Sequence, residues 1–452
     1  MSVTNSGVGA ELNVAPIDPV SDRQRRPRRN VLVSAYVSLL ILMVVYCARP
    51  EDWIPSLNVV PLAKIAGVLV LFAFLFSLGQ FRLSLPREII YLLLLVGQLF
   101  LASLFSPVWR GGALIVTFEF SKVLLIVIVM ASVLNTAKRL RQLIFIQAAS
   151  VAVIATVVVL KGRMLGARLE GMPGATYADP NDLALTIVIS IPLCFALLFL
   201  SKSLLRKAAW GLAIAVMLYA VFMTGSRGGF VSLTVTALVF LWEFAIQGRR
   251  RYLIALTVVA GSILSMVSGG LLLGRLKGTF NQEDNTAAAY DSYQARQQIF
   301  WRSIELSKAH PIFGVGPGNF PQASGNWHVT HNSFTEMSSE GGIPALILQI
   351  LILWCGFKNL RKSKRFARGR TGTNVLARAL HASLAGCVFG SLFLSWGYLF
   401  LPYILVAYTT ALYSITRKTA IESRKNKSAR QATAQEALHA GSPLHEMTFR
   451  VV

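Results

Sequence analysis

The sequence predicts an all-α polytopic membrane protein of about twelve transmembrane helices, and three observations predict it. The 452 residues are 54 % apolar and only 14 % charged, where a soluble chain of this length carries roughly 25 % charge. Mean hydropathy is +0.57, and apolar runs near the ~20 residues needed to cross a bilayer recur along the chain. The net charge of +24 sits in short clusters between those runs. That pattern reports topology, so no nucleic-acid partner is expected despite the charge. An ordinary cytosolic enzyme is excluded.

Taken in order, the candidate spans lie near 31–47, 61–79, 88–106, 111–134, 141–160, 182–200, 207–224, 229–247, 252–273, 341–357, 377–395 and 398–416. The last two are separated only by Trp396-Gly397. Residues 1–30 form a polar tail carrying Arg23, Arg25, Arg26, Arg28 and Arg29. No cleavage-like site follows a short apolar core, so the first helix is expected to stay as an anchor. Spans one to nine then occupy 31–273, a long loop 274–340, and spans ten to twelve 341–416. Residues 417–452 turn basic, then polar and poor in aromatics, and read as a disordered cytoplasmic tail.

Orientation follows from lysine and arginine. With the N-terminus inside, inner segments gather 30 of the 44 basic residues and outer segments 11. Every short outer loop is poorer than its inner neighbours except 161–181. Both termini are therefore expected in the cytoplasm and the long loop on the outer side of the membrane. Trp53, Trp109 and Trp396 fall at outer boundaries, Trp210 and Trp242 toward the inner one, as in an aromatic belt. Cys47, Cys194, Cys355 and Cys387 all lie in apolar runs and suggest neither a disulfide framework nor a zinc site.

The outer side holds the unusual segments. From Thr286 to Lys308, Tyr290, Tyr293, Phe300 and Ile304 recur at helical spacing until Pro311, predicting an amphipathic helix on the membrane face. Arg296 lies on its apolar side, which is costly unless an anionic partner is near. A salt bridge with Glu305 would also satisfy it. Gly314-Val315-Gly316-Pro317-Gly318-Asn319-Phe320 is either a plain turn or a loop presenting N–H groups to an anion. Ser333 and Glu336 have the spacing of a capping box, which puts His331 just ahead of a helix N-terminus. Histidine there can take a proton near neutral pH, or simply hold loops together.

Thr224-Gly225-Ser226-Arg227-Gly228-Gly229 closes the seventh span and aims one guanidinium at the outer leaflet, where it would grip a phosphate in bidentate fashion or serve as an interfacial anchor. In Asp179-Pro180-Asn181-Asp182, Asn181 or Asp182 is the expected cap of the sixth span. Glu119 and Lys122 are spaced to pair. Glu243 near an inner boundary is expected to be solvated, as are Glu51 and Asp52.

Together these stretches resemble the O-antigen ligase and O-antigen polymerase superfamily of bacterial surface-glycan enzymes. The resemblance covers roughly 179–357 and rests on Asp179–Asn181, Thr224–Gly229, Arg296 through Gly316, and His331-Asn332-Ser333-Phe334 with Glu336, Glu340 and Gly341. It implies a GT-C-like, inverting membrane glycosyltransferase that needs no metal and no cofactor. The implied donor is an undecaprenyl-diphosphate-linked oligosaccharide, and the implied acceptor a glycan or lipid. Arg227 and Arg296 would contact the donor diphosphate and His331 would assist acceptor attack, with Ser226, Asn181, Asn332 and Glu336 as further substrate-binding candidates. Other polysaccharide-assembly proteins are possible partners, and membrane lipids certain ones. Membrane glycosyltransferases with an acidic pair in the first outer loop keep Glu51-Asp52 a minor candidate. Ligase and polymerase stay open, with a lean to polymerase or exopolysaccharide assembly. A twelve-span secondary transporter is the reading from a different class, disfavoured because the polar clusters lie on the outer face rather than at mid-membrane. A non-catalytic assembly partner is the third.

Overall fold

The computed structural model describes residues 25–57, 59–77, 85–165, 168–171, 178–263, 287–325, 328–367 and 371–440. Helices are α1 (Arg25–Ala48), α2 (Leu62–Ser77), α3 (Arg87–Leu104), α4 (Arg110–Val133), α5 (Ala137–Lys161), α6 (Pro180–Leu200), α7 (Leu204–Thr224), α8 (Arg227–Leu241) and α9 (Tyr252–Ile263). Then come α10 (Ala287–Ala309), α11 (Phe320–Ser324), α12 (Ser333–Phe366), α13 (Thr371–Gly390) and α14 (Phe400–Ala440). A two-stranded hairpin, β1 (Met164–Leu165) and β2 (Arg168–Leu169), lies between α5 and α6.

Among the described residues, eight helices are long and apolar enough to cross a membrane: α1, α3 to α8 and α12. The helices α2 and α9 are apolar but shorter, and 264–273 of the ninth expected span lies outside the described residues. Two helices organise the packing. The most enclosed candidate span is α6, which contacts α5, α7, α8 and α13, while α12 gathers α3, α10, α13 and α14. All four cysteines are buried thiols.

Several local expectations are corrected. The tenth span does not begin at 341: α12 starts at Ser333 and runs to Phe366 through a break at Gly342. Gly342 has φ 80° and ψ 171°, a region open essentially to glycine alone. A Cβ there would stand 2.2 Å from the Ile312 carbonyl oxygen. The break frees the Ile343 amide to donate to the Pro311 carbonyl oxygen, so the loop after α10 docks into the kink. Gly342→Ala is therefore expected to cost about 2–3 kcal/mol, read as a lowered unfolding midpoint in detergent. An unchanged midpoint would contradict it.

The helix α13 stops at Gly390, so residues 391–399 separate it from α14 instead of the two-residue break at Trp396-Gly397. Trp396 is only 1 % exposed and its indole donates to Asp182 Oδ1 at 2.8 Å. It is a buried strut, not part of an outer belt. At the other chain end, α14 continues to Ala440, so 417–440 is helical where disorder was expected. The basic tail likewise contains the start of α1 at Arg25, while Arg23 lies outside the described residues. Glu243 is 1 % exposed and bonded to Lys364 Nζ and His381 Nδ1, at 2.5 and 2.7 Å. Burial with Lys364 and His381 as hydrogen-bond partners replaces the expected solvation, because the π-turn Trp242–Ile246 turns this residue toward α12 and α13. Glu119 and Lys122 pair at 2.6 Å as expected.

Candidate functional site

The site is assembled at the end of the bundle where α6, α8 and α12 begin. Asp179, not Asn181 or Asp182, caps α6: its carboxylate accepts from the Asn181 and Asp182 amides at 2.7 and 3.3 Å. Proline at the first helical position leaves Asp179 as the residue in extended backbone, which is where a cap must stand. Asn181 is thereby released for other work. Its Oδ1 accepts from Ser226 Oγ at 2.7 Å and from Arg168 Nη2 at 3.2 Å.

Ser226 caps α8, accepting from the Gly229 amide at 3.1 Å. The chain reaches that cap through Gly225 at φ 57°, and Gly229 lets α8 approach α6, since a Cβ would meet that of Ala184 at 2.7 Å. Arg227 thus becomes the first residue of α8, with no acidic residue in that turn. A cation at the positive end of a helix is unfavourable by itself and favours an incoming anion.

Arg168 completes this corner. Its Nε donates to the Thr224 carbonyl oxygen at 3.1 Å while Nη2 holds Asn181. These bonds tie the hairpin β1–β2 to the end of α7 and the start of α6. Burial lowers the Arg168 pKa, an effect eased by Asp179 and reinforced by the Arg227 charge. Because Asn181 Oδ1 is the shared acceptor, Asn181→Ala strands two donors. We expect a loss of about 1–3 kcal/mol of stability together with weakened activity, measured as unfolding midpoint and transfer rate. Ser226→Ala alone, which also leaves the Gly229 amide uncapped, should cost about 1 kcal/mol.

Arg296 enters from α10. The anticipated Glu305 salt bridge is not made, because Glu305 pairs with Arg302 at 2.9 Å. Among the described residues no carboxylate stands within ion-pair distance of Arg296. It is half-buried, and burial, then the Arg227 charge, lower its pKa, with Asp179 opposing and Arg168 adding to the effect. Of the apolar positions on this helix, the side chains of Tyr290 and Tyr293 lie outside the described residues. Ile299 and Leu306 pack with Val315 and Phe320 in a small core of their own.

His331 stands ahead of α12 with φ 51°, a left-handed conformation uncommon outside glycine. Its amide donates to Ser395 Oγ at 2.9 Å, and Ser395 also bonds Thr330 Oγ1 at 3.0 Å. The cap of α12 is Asn332, whose Oδ1 accepts from the Phe334 and Thr335 amides at 2.9 and 3.2 Å. The expected capping box of Ser333 and Glu336 does not form. Ser333 Oγ instead donates to the Leu394 carbonyl and accepts from the Trp396 amide, and Glu336 accepts from the Gly397 amide. The turn 391–399 brings its own unpaired amides to these side chains, and they compete successfully for the cap. Burial first, then the Arg296 charge, push the His331 pKa down to about 4, with Asp179 working the other way. The imidazole is neutral at pH 7 and able to accept a proton.

The glycine loop finds its hydrogen-bond acceptor within the chain. Glu340 accepts from the Gly318 and Phe320 amides at 2.7 and 3.0 Å, so this loop is a docked turn. Glu51 and Asp52 both pair with Arg49.

Arg227, Arg296 and His331 are thus brought together, with Arg168 and Asp179 beside them. Ser226, Asn181, Asn332 and Glu336 are occupied by protein partners and hold the elements in place. Sequence reasoning missed Arg168 and the turn carrying Ser395 and Trp396. The excess of cations in 161–181, against the charge bias of every other short outer loop, was the available signal for the first. For the turn there was none.

Residues 212–350 match the family model described as O-antigen ligase. Over that stretch the chain resembles an O-antigen ligase domain, in a protein whose long apolar helices give it membrane character. The matched stretch contains Arg227, Arg296 and His331; Arg168, Asp179 and the 391–399 turn lie outside it. No curated protein matches the chain.

Proposed function

We propose that the protein is a bacterial inner-membrane glycosyltransferase that polymerises or ligates undecaprenyl-diphosphate-linked glycans at the periplasmic face, with twelve spans and both termini in the cytoplasm. One observation carries the reading: three guanidinium groups and a neutral histidine converge at one end of the bundle, and the carboxylates that act on them there, Asp179 and (on Arg168) Glu170, are fewer than the guanidinium groups. Such a cluster is stabilised by a polyanion. A diphosphate answers that charge, and an O-antigen ligase domain handles lipid-linked glycans.

The donor diphosphate would lie against Arg227 and Arg296, with Arg168 behind them. An acceptor hydroxyl attacks the anomeric carbon from the face opposite the diphosphate, passing its proton to the His331 imidazole. The new glycosidic C–O bond forms as the bond to the diphosphate oxygen breaks, which inverts the anomeric centre. The electron pair leaves on polyprenyl diphosphate, whose charge the arginines offset as a divalent cation does elsewhere. An apolar crevice of about 340 Å³ between α6, α7, α8 and α9, lined by Phe195, Phe222, Leu233 and Leu238, begins within two turns of Arg227 and suits the prenyl tail.

The test is transfer by the reconstituted protein from a polyprenyl-diphosphate oligosaccharide. Chain extension on a second lipid-linked oligosaccharide marks a polymerase, and transfer to a lipid or protein acceptor a ligase. Release of neither product, with no binding of the donor, overturns the reading.

A further inference from the structure

At the opposite end of the bundle the chain builds a second cationic cavity. Leu200, the last residue of α6, stands about 28 Å along the helix axis from Asn181 at a rise of 1.5 Å per residue, close to the hydrocarbon thickness of a bilayer. There Ala137, Lys138 and Arg141 of α5, Leu200, and Gly372, Thr373 and Leu376 of α13 enclose about 490 Å³. The two cations are exposed on the cavity's rim, while Leu200 and Leu376 supply apolar wall.

The electrostatics of this cavity run against local rules. Lys138 and Arg141 sit in the first turns of α5, and the cavity also receives the first turn of α13; neither helix has an acidic residue in its first turn. Cations at a helix N-terminus are unfavourable. Here two helix starts and two cationic side chains face one space, and among the described residues no carboxylate pairs with either cation. Among the described residues, no acidic one lines it. Local conflicts of this kind persist where a ligand compensates them. A compensating ligand must be anionic, and the Leu200–Leu376 wall at the end of a membrane bundle asks that it also be amphipathic.

We propose that this cavity binds the phosphate headgroup of an anionic phospholipid, with the acyl chains running down beside α6 and α13. It is independent of the glycan site. The lipid would bridge α5 and α13, both of which pack on α6.

The test uses the full-length protein in detergent micelles doped with phosphatidylglycerol, with retained lipid read by native mass spectrometry. Wild type is expected to retain phosphatidylglycerol over phosphatidylcholine. A variant carrying Lys138→Gln and Arg141→Gln should bind about 30-fold more weakly, at about 1 kcal/mol per basic residue near an anionic headgroup and 1.4 kcal/mol per tenfold. Lys207→Gln, an exposed cation of the same end outside the cavity, should leave retention unchanged. Equal retention by the double variant overturns the proposal. So does displacement of the lipid by millimolar inorganic phosphate, which would make the occupant a free phosphate and the apolar wall irrelevant.

Discussion

Arg296→Ala is expected to slow glycan transfer about a thousandfold while leaving the protein folded. The magnitude follows from what one preorganised donor contributes when charge develops on a leaving group, about 10²–10³-fold, rising to 10³–10⁵-fold for an arginine at a phosphoryl centre. Folding should survive because Arg296 has no ion-pair partner among the described residues, and burial and the neighbouring Arg227 already disfavour its charge. Removing it relieves repulsion, so the unfolding midpoint should hold or rise slightly. Lysine is expected to restore little, since an ammonium cannot grip two phosphate oxygens in the fixed fork of a guanidinium. Inorganic pyrophosphate should raise the midpoint of the wild type and not that of Arg296→Ala. Transfer within threefold of wild type in the alanine variant would remove Arg296 from the chemistry.

His331→Asn should lower the rate by about 10²–10⁴-fold, the usual contribution of a positioned base. Asparagine is the chosen replacement because it tolerates the left-handed backbone that His331 adopts at φ 51°; the amide bond to Ser395 Oγ should persist. The pH profile separates a base from a structural histidine. In the unliganded protein the imidazole pKa lies at about 4, depressed by burial and then by Arg296. It is neutral and competent above that value and loses competence as pH falls through it, so the acid limb of kcat/KM should lie near pH 4. A bound diphosphate offsets the Arg296 charge and raises the imidazole pKa, so the acid limb of kcat should fall at higher pH. Coincident limbs, or a profile unchanged in His331→Asn, would reduce His331 to a structural part.

Much of the architecture was legible before any coordinates. Spans α3 to α8 follow from runs of apolar residues of bilayer length, because burial in lipid demands that the run be predominantly apolar and every backbone group be bonded within the helix. The helix α10 was readable from spacing alone, ending at Pro311 as expected. Arg227, Arg296 and His331 were singled out as well, each with a structural alternative beside the functional one, and the structure brings the three together. The failures cluster at helix ends. Asp179 rather than Asn181 caps α6, Asn332 rather than Ser333 caps α12, and α13 stops at Gly390. The first follows from Pro180 at the first helical position, whereas the cap of α12 is decided by partners distant in sequence, Leu394, Trp396 and Gly397 for Ser333 and Glu336. Glu243 was misjudged for the same reason, since Lys364 and His381 lie more than a hundred residues away.

By itself, the sequence determined that this is a helical membrane protein, which segments between the spans are unusual, and which three side chains to suspect. Those conclusions depend on composition and on periodicities of a few residues, and hydrophobic burial enforces both regardless of how the helices are arranged. Only the tertiary structure decided that Arg168 joins Arg227 and Arg296, that Glu340 and not a ligand occupies the glycine loop, and that the 391–399 turn seats His331. These depend on which unpaired amide or carboxylate meets which across the bundle, and that competition is settled by distances between segments that sequence spacing does not encode.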